Sequence, residues 1–118
     1  MSESLRPQER IRKQSDFARI YKNGSRYRGR YFNLVYLTND LNHSRMAAVA
    51  SKKVGNAVKR NKVKRWMRAL FRRNKGLLNA SLDLIMIVKP GMPDSNWNEI
   101  LDEYRKAVHY LNKKSRAV

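Results

Sequence analysis

The chain has 118 residues, which suits one folded domain with a single compact core. Its 27 Lys and Arg against 9 Asp and Glu give a formal net charge of +18, which is typical of a protein that binds a polyanion. The lack of cysteine excludes a disulfide framework, a thiolate zinc site and a cysteine nucleophile, and it favours the cytoplasm. The longest apolar run, residues 84–88, is far shorter than the roughly 20 residues that cross a bilayer, so we expect no membrane partner.

The chain begins with an arm and a short helix. We expect residues 1–14 to form a flexible basic arm. Ser15 is a residue type that caps helix starts, and Gly24 is one that ends helices. The apolar side chains between them recur at helical spacing: Phe17, Ile20 and Tyr21.

Two strands are predicted next. Residues 31–38 are rich in aromatic and branched side chains that alternate between two faces. A polar, turn-forming segment at 39–44 leads to a run of small apolar residues at 46–50, which suits a second strand. We expect these two strands to pair as a hairpin. The first strand carries Phe32, Leu34 and Tyr36 on one face and Tyr31, Asn33, Val35 and Leu37 on the other.

The second half of the chain alternates helix, strand and helix. Residues 56–74 lack proline and glycine, which favours a long helix. Residues 82–88 predict a strongly apolar strand, which we expect to be central in a sheet or covered on both faces. Ser95 or Asn96 then caps a last helix with a clear apolar period, whose end we expect to fray over residues 113–118.

This order of elements, αββαβα, predicts an α+β fold with a small mixed sheet and helices packed on it. It also allows one further short strand. Because a helix connects the second and third strands, these two strands should run parallel. Steric rules favour a right-handed crossover for such a unit. We expect one domain over residues 1–118.

The long helix has two unlike sides. Between residues 52 and 75 there is no acidic residue among many Lys and Arg, so the basic side needs an external partner, which we expect to be an RNA or DNA backbone. A solvated charged face is the alternative interpretation. At about 100° per residue, the polar arc contains Asn61, Lys64, Arg65, Arg68 and Arg72, and the apolar arc contains Val63, Trp66, Met67, Leu70 and Phe71.

Aromatic residues interleaved with basic ones in the first third are typical of a surface on which unpaired bases stack. The candidates are Phe17, Tyr21 and Tyr31, and core packing is the alternative interpretation for them. Trp66 and Trp97 share helix faces with aliphatic residues, so we expect both in the core.

The polypeptide has few residues in arrangements typical of catalysis. His43 and His109 lie far apart in the sequence, and no pair of carboxylates has the spacing of a hydrolytic site. We therefore predict no catalytic residue, no cofactor site and no metal site in the protein itself.

One segment is recognisable. Residues 51–68 read SKKVGNAVKRNKVKRWMR, which closely resembles the RNR motif of the bacterial ribonuclease P protein subunit. Residues 16–24 are similar to that family's first helix, and the chain length and element order also match. The resemblance implies an RNA-based enzyme in which a catalytic RNA, using bound Mg²⁺, hydrolyses a phosphodiester of precursor tRNA to release the 5′ leader and leave a 5′ phosphate. It also implies a left-handed rather than right-handed crossover. No protein partner is expected to be required.

The resemblance assigns two binding surfaces to a single RNA-binding domain. The motif positions that face the catalytic RNA match Lys52, Lys53, Asn56, Arg60, Asn61, Lys64, Arg65 and Arg68, and Arg72 continues the same arc. The single-stranded leader is expected in a cleft that contains Phe17, Tyr21, Tyr31, Asn33 and Val35. Val35 stands where the family pattern favours an aromatic residue. The Mg²⁺ is expected on the RNA.

Two other functions share this charge pattern. A non-catalytic RNA-binding protein of the ribosomal type would bind one fixed RNA site without an effect on turnover. A DNA-binding architectural protein would prefer a duplex to single strands. Stimulation of 5′ cleavage at low Mg²⁺ separates the first interpretation from both.

Overall fold

The computed structural model describes residues 5–92 and 95–116. Three helices pack on a four-stranded mixed sheet, which is an α+β architecture. The predicted elements are found, and a short strand over residues 25–28 is added to them. The helices are α1 (Gln14–Asn23), α2 (Ala57–Arg73) and α3 (Trp97–Arg116), and the strands are β1 (Ser25–Arg28), β2 (Phe32–Thr38), β3 (Arg45–Val49) and β4 (Leu82–Val88).

The strands are ordered β1-β2-β4-β3 across the sheet. β4 is antiparallel to β2 and parallel to β3, which confirms the predicted parallel pair. The predicted hairpin of the second and third segments, 31–38 with 46–50, is wrong because β4 separates these two strands. β4 is largely apolar and buried on both faces, because helices pack on each side of the sheet and its neighbouring strands cover its two edges. The handedness of the crossover stays a prediction.

The two faces of the sheet bury unequal cores. One face packs against α2 and α3 and holds the larger core, whereas the other packs against α1 through a smaller cluster. Because α1 has only 10 residues, it covers part of its face and leaves the rest open. The larger core includes Phe32, Leu34, Met67, Leu70, Phe71, Leu84, Met86 and Tyr104, and the smaller contains Ile11, Ile20, Val35 and Ile85.

The two tryptophans lie at the border of the larger core. Trp66 and Trp97 are half-buried and pack against it. The Lys62 ammonium lies 4.8 Å from the Trp66 ring centroid, and the Arg73 guanidinium lies 5.2 Å from that of Trp97. The prediction that both tryptophans lie in the core is therefore correct for one part of each ring. A cation packs against another part of the ring.

Residues 5–13 pack against the rest of the domain. Leu5 and Ile11 are buried, and the Ile11 N–H donates to the carbonyl of Met46 on β3 at 3.0 Å. The Lys75 ammonium donates to the Glu9 carboxylate. The expectation of a flexible arm does not hold for these residues, because two apolar side chains within a basic segment gain from burial. Residues 1–4 of that arm lie outside the described residues.

One carboxylate fastens α3 to the turn between β1 and β2. Glu103 accepts hydrogen bonds from the backbone N–H groups of Arg30, Tyr31 and Phe32. The Tyr31 hydroxyl also donates to Glu99 Oε2 at 2.8 Å. These bonds place Tyr31 on the side of the sheet that α3 covers.

Candidate RNA interface

α2 has the two unlike sides that its sequence predicts. Val63, Met67 and Leu70 are fully buried against the sheet. The polar side is exposed or half-buried along its whole length. Together with the turn before the helix it forms the surface that we call the basic stripe: Lys52, Lys53, Asn56, Arg60, Asn61, Lys64, Arg65, Arg68 and Arg72.

A tight turn sets the first basic residues beside the start of α2. Gly55 has a φ of 151°, and a Cβ there would lie 2.8 Å from the Lys59 side chain, so only glycine fits. Asn56 caps the helix by accepting a hydrogen bond from the Lys59 N–H at 2.9 Å. This bond commits the Asn56 oxygen to the helix and leaves its NH₂ group to donate to a partner. Lys52 and Lys53 are exposed in the turn before it.

Four cations of the stripe have no acidic partner among the described side chains. Within the described residues, no ion pair involves Arg60, Lys64, Arg65 or Arg68. Like charges in a row repel one another, and a polyanion that binds there relieves the repulsion. Ion pairs elsewhere in this part of the chain join Arg19 and Arg45 to Asp16 and Asp83, and Lys75 to Glu9.

The stripe meets a cavity of about 200 Å³ beside Phe17, lined also by Arg10, Arg12 and Arg68. Partial burial, followed by the like charges of Arg10 and Arg65, lowers the pKa of Arg68 below its ordinary value. The Nε of Arg10 is buried and has no hydrogen-bond partner. Guanidinium groups held together in this way favour an anion between them.

α1 carries two of the predicted aromatic residues beside the open part of the sheet face. Phe17 is half-buried against the smaller core, and Tyr21 is 36% exposed. The Arg26 guanidinium lies 5.9 Å from the Tyr21 ring centroid. A cavity of about 350 Å³ on this face is lined by Arg26, which contacts Tyr21, and by Ile87, which packs against the same small core as Phe17. We call this whole surface the cleft, and besides Phe17 and Tyr21 it contains Arg26, Arg28, Asn33, Val35, Ile87 and Lys89.

Of the other residues predicted for the cleft, one is almost covered and one lies elsewhere. Val35 lines the cavity of the cleft, but it is 1% exposed and packs in the smaller core, so it offers little surface to a base. Tyr31 packs against the larger core, and its hydroxyl is bonded to Glu99. The alternation that grouped Tyr31 with Asn33 fails because β2 begins at Phe32 and Tyr31 belongs to the preceding turn.

The sequence did not predict several of the basic residues that line the cleft and the cavity beside Phe17. Arg26 and Arg28 come from β1, Lys89 follows β4, and Arg10 and Arg12 come from the expected arm. A signal for the first two exists in the sequence. Arg26 and Arg28 alternate with Tyr27 directly after Gly24, and this period of two puts both cations on one face of a strand.

A buried ion network fastens α1 over the sheet. Asp83 on β4 has a fully buried side chain and accepts hydrogen bonds from Arg45 at 2.7 and 2.9 Å. Arg19 on α1 donates to it at 2.8 Å and Asn39 at 2.9 Å. Burial alone would raise the pKa of Asp83, but the hydrogen bonds from Arg45, Asn39 and Arg19 hold it below its ordinary value. The network sets the position of the helix that carries Phe17 and Tyr21.

Two features are absent from the described residues: a cluster of metal-ligating side chains and a membrane-spanning helix. Residues 5–92 and 95–116 contain no group of three His, Asp or Glu side chains that could hold a metal ion. No helix in that part of the chain is both long and apolar enough to span a bilayer. Glu9, Asp16, Asp83 and Glu103 are engaged in ion pairs or backbone hydrogen bonds of the fold.

Solved structures share this arrangement. The RNase P protein of Staphylococcus aureus matches with a TM-score of 0.77 and 35% sequence identity, over 89% of this chain and 95% of that one. The RNase P protein of Thermotoga maritima also matches with a TM-score of 0.77, at 31% identity, over 85% of this chain and 94% of that one.

Sequence comparisons agree with the structural ones. The ribonuclease P protein component of Staphylococcus epidermidis is 40% identical over 109 residues, which cover 89% of this chain and 94% of that protein. The corresponding component of Thermotoga maritima is 41% identical over 87 residues, or 74% of each chain. The family model described as Ribonuclease P matches residues 5–112. The chain therefore belongs to the bacterial ribonuclease P protein family, whose members are components of an endoribonuclease that acts in tRNA processing.

Proposed function

We propose that this chain assists a catalytic RNA in removing the 5′ leader from precursor tRNA. The basic stripe binds the catalytic RNA, and the cleft binds the single-stranded leader. The bond-breaking groups and the Mg²⁺ belong to the RNA in this proposal, no second protein is required, and the compartment is the cytoplasm.

One observation carries the proposal: the two basic surfaces are adjacent and meet at a shared cavity. Arg68 of the stripe and Phe17 of α1 line the same space, with Arg10 beside them. A strand that leaves the cleft over Phe17 therefore arrives at the first phosphates bound by the stripe. Such adjacency suits a protein that holds two RNA segments side by side.

The physical role follows from electrostatics. The catalytic RNA and the precursor tRNA are both polyanions, so they repel each other when they approach. A body with a net charge of +18 that contacts both lowers this repulsion, and less Mg²⁺ is then needed for the same purpose. Contacts to phosphates carry no sequence information, and stacking accepts any base, which suits an enzyme that must accept many precursors.

Stimulation of cleavage at low Mg²⁺ tests the proposal. Catalytic RNA and 5′-labelled precursor tRNA are incubated with and without the protein over a Mg²⁺ series, and release of the leader is measured. We expect the protein to shift the Mg²⁺ dependence to lower concentration. A curve that does not move, although the protein binds the RNA, would leave the ribosomal-type interpretation as the better one.

Replacement of Tyr21 by Ala tests the cleft separately. The half-open ring of Tyr21 offers a stacking surface, and such a contact contributes roughly 1–3 kcal/mol per base. The variant should bind leader-bearing precursor about 5-fold or more weakly, with little change for mature tRNA. Titration of the assembled holoenzyme with both RNAs measures this difference, and Tyr21→Phe, which keeps the ring, serves as the control. Equal losses for both RNAs would contradict a leader cleft.

A further inference from the structure

A second aromatic and basic cavity lies at the edge of the sheet. It has a volume of about 390 Å³, and β1, β2, the start of β4 and the last turns of α3 surround it. None of the residues that the structure places around it is acidic. We call it the edge cavity, and it is lined by Ser25, Arg26, Tyr36, Thr38, Leu82, Tyr110 and Lys114.

The walls of the edge cavity carry an aromatic ring and a cation. Tyr110 is 37% exposed, and its ring centroid lies 5.3 Å from that of Tyr27, which supports it from one side. The Lys114 ammonium lies 5.5 Å from the Tyr110 ring centroid. A supported and partly open ring, with a cation beside it and no carboxylate around it, matches the chemistry of an unpaired nucleotide, which brings a base to stack and a phosphate to pair.

The edge cavity is connected to the cleft by one residue. Arg26 lines both cavities, and its guanidinium also lies against Tyr21 of the cleft. β1 is an outer strand of the sheet, because β2 is its one neighbour in the strand order. A chain that lies on the cleft face can therefore pass over β1 and enter the edge cavity without crossing another element of the sheet.

We propose that the RNA strand in the cleft continues around β1 and places a further unpaired nucleotide in the edge cavity. Its base stacks on Tyr110, and its phosphate lies near Arg26 and Lys114. This inference rests on the proposed function, since the strand concerned is the leader. The protein then contacts leader nucleotides on both faces of its sheet, and the outer contact exists only when the leader is long enough to reach it.

The test uses the assembled holoenzyme and a set of precursor tRNAs whose leaders are shortened one nucleotide at a time from the 5′ end. For the wild type, we expect affinity to rise with leader length in two stages, first from the cleft and then from the edge cavity. Tyr110→Ala should remove the second stage alone, with a loss of about 5-fold or more for long leaders and no change for short ones. Lys114→Ala should lower the log–log salt slope for long leaders by about 0.7, the value for one phosphate of a single strand.

A matched control lies on the same helix. Arg105 is exposed on α3 and nine residues before Lys114, which places it on the opposite side of the helix. Arg105→Ala should leave both stages unchanged. Because Lys114 is exposed, its replacement tests the cavity even where loss of the Tyr110 ring disturbs the packing against Tyr27.

Two results would overturn the inference. One is that both variants, Tyr110→Ala and Lys114→Ala, bind every precursor with wild-type affinity. The edge cavity would then not bind the RNA leader. The other is a loss of equal size at every leader length, which would indicate a change in the fold. Failure of the proposed function looks different, because wild-type holoenzyme would then bind mature tRNA and all leader-bearing precursors alike.

Discussion

Replacement of Asp83 by Ala is expected to remove a large part of the stability of this fold. The side chain is 0% exposed, and its oxygens accept hydrogen bonds from Arg45, Arg19 and Asn39. Without the carboxylate, the half-buried Arg45 guanidinium loses its main partner, and breaking a buried pair in this way costs about 3–5 kcal/mol. A domain of this size has a free energy of unfolding of roughly 5–15 kcal/mol. Urea unfolding of the free protein, followed by circular dichroism, measures the loss.

A matched control separates this effect from a change in net charge. Asp40 is exposed in the loop after β2, so Asp40→Ala removes the same charge outside the network. Its free energy of unfolding should change by no more than about 0.5 kcal/mol. If the two variants unfold at the same urea concentration, the network does not hold the fold together.

The same network predicts how the free energy of unfolding changes as the pH falls. The pKa of Asp83 is lower in the folded protein than in the unfolded chain, so ionisation of this group stabilises the fold. The contribution is fully present above the ordinary aspartate pKa of about 3.9 and is lost as the pH falls through the lower folded value. Asp83→Asn should therefore differ most from the wild type near neutral pH and approach it in acid. A constant difference over the whole pH range would contradict this assignment.

Removal of both Arg65 and Arg68 should weaken binding of the catalytic RNA and flatten its salt dependence. Both guanidinium groups lack an ion-pair partner in the described part of the chain, so each is free to contact a phosphate. Each lost contact should reduce the log–log salt slope by roughly 0.9 and the affinity about tenfold at moderate salt. Filter binding of Arg65→Ala, Arg68→Ala and the double variant over a salt series measures both quantities.

The control for the stripe is Arg105→Ala on α3, which removes one exposed cation outside the stripe and the cleft. It should change the RNA affinity only slightly, through the smaller net charge. Urea unfolding of each variant shows whether the half-buried Arg68 side chain contributes to packing. An unchanged slope in the double variant would remove these two residues from the RNA interface.

Local sequence patterns predicted the helices and strands of this fold well, but they predicted poorly which strands pair with each other. Capping by Asn56 and the apolar runs of β4 and α2 depend on neighbours in the sequence, so they can be recognised without a structure. The position of β4 between β2 and β3 depends on which strand gains most from two covered faces. Choosing the central strand requires a comparison of all strands in the chain. The general preference for pairing consecutive strands therefore led to the wrong prediction that β2 pairs with β3.

The basic stripe was predictable for a similar reason, and the cleft was predictable only in part. A helix repeats its faces regularly, so an arc of cations without acids stands out in the sequence. Which residues line the cleft depends instead on which part of the sheet α1 covers and on where the turn before β2 ends. Val35 lines the cleft with almost all of its side chain covered by the smaller core, and Tyr31 is held by Glu99, and neither fact has a local signal. Leu5 and Ile11 likewise show how few apolar residues suffice to dock a segment that looks like a free tail.

The central place of β4 constrains how the protein is made. β4 spans Leu82–Val88, so the ribosome synthesises β1, β2, β3 and α2 before the strand that joins them. A nascent chain that stops before residue 82 has its cationic helix and can pair β1 with β2, but it lacks the strand that joins β2 to β3. Contacts of such large sequence separation form slowly. The distance between the two RNA-binding surfaces is therefore fixed only late in translation, when the final third of the polypeptide emerges.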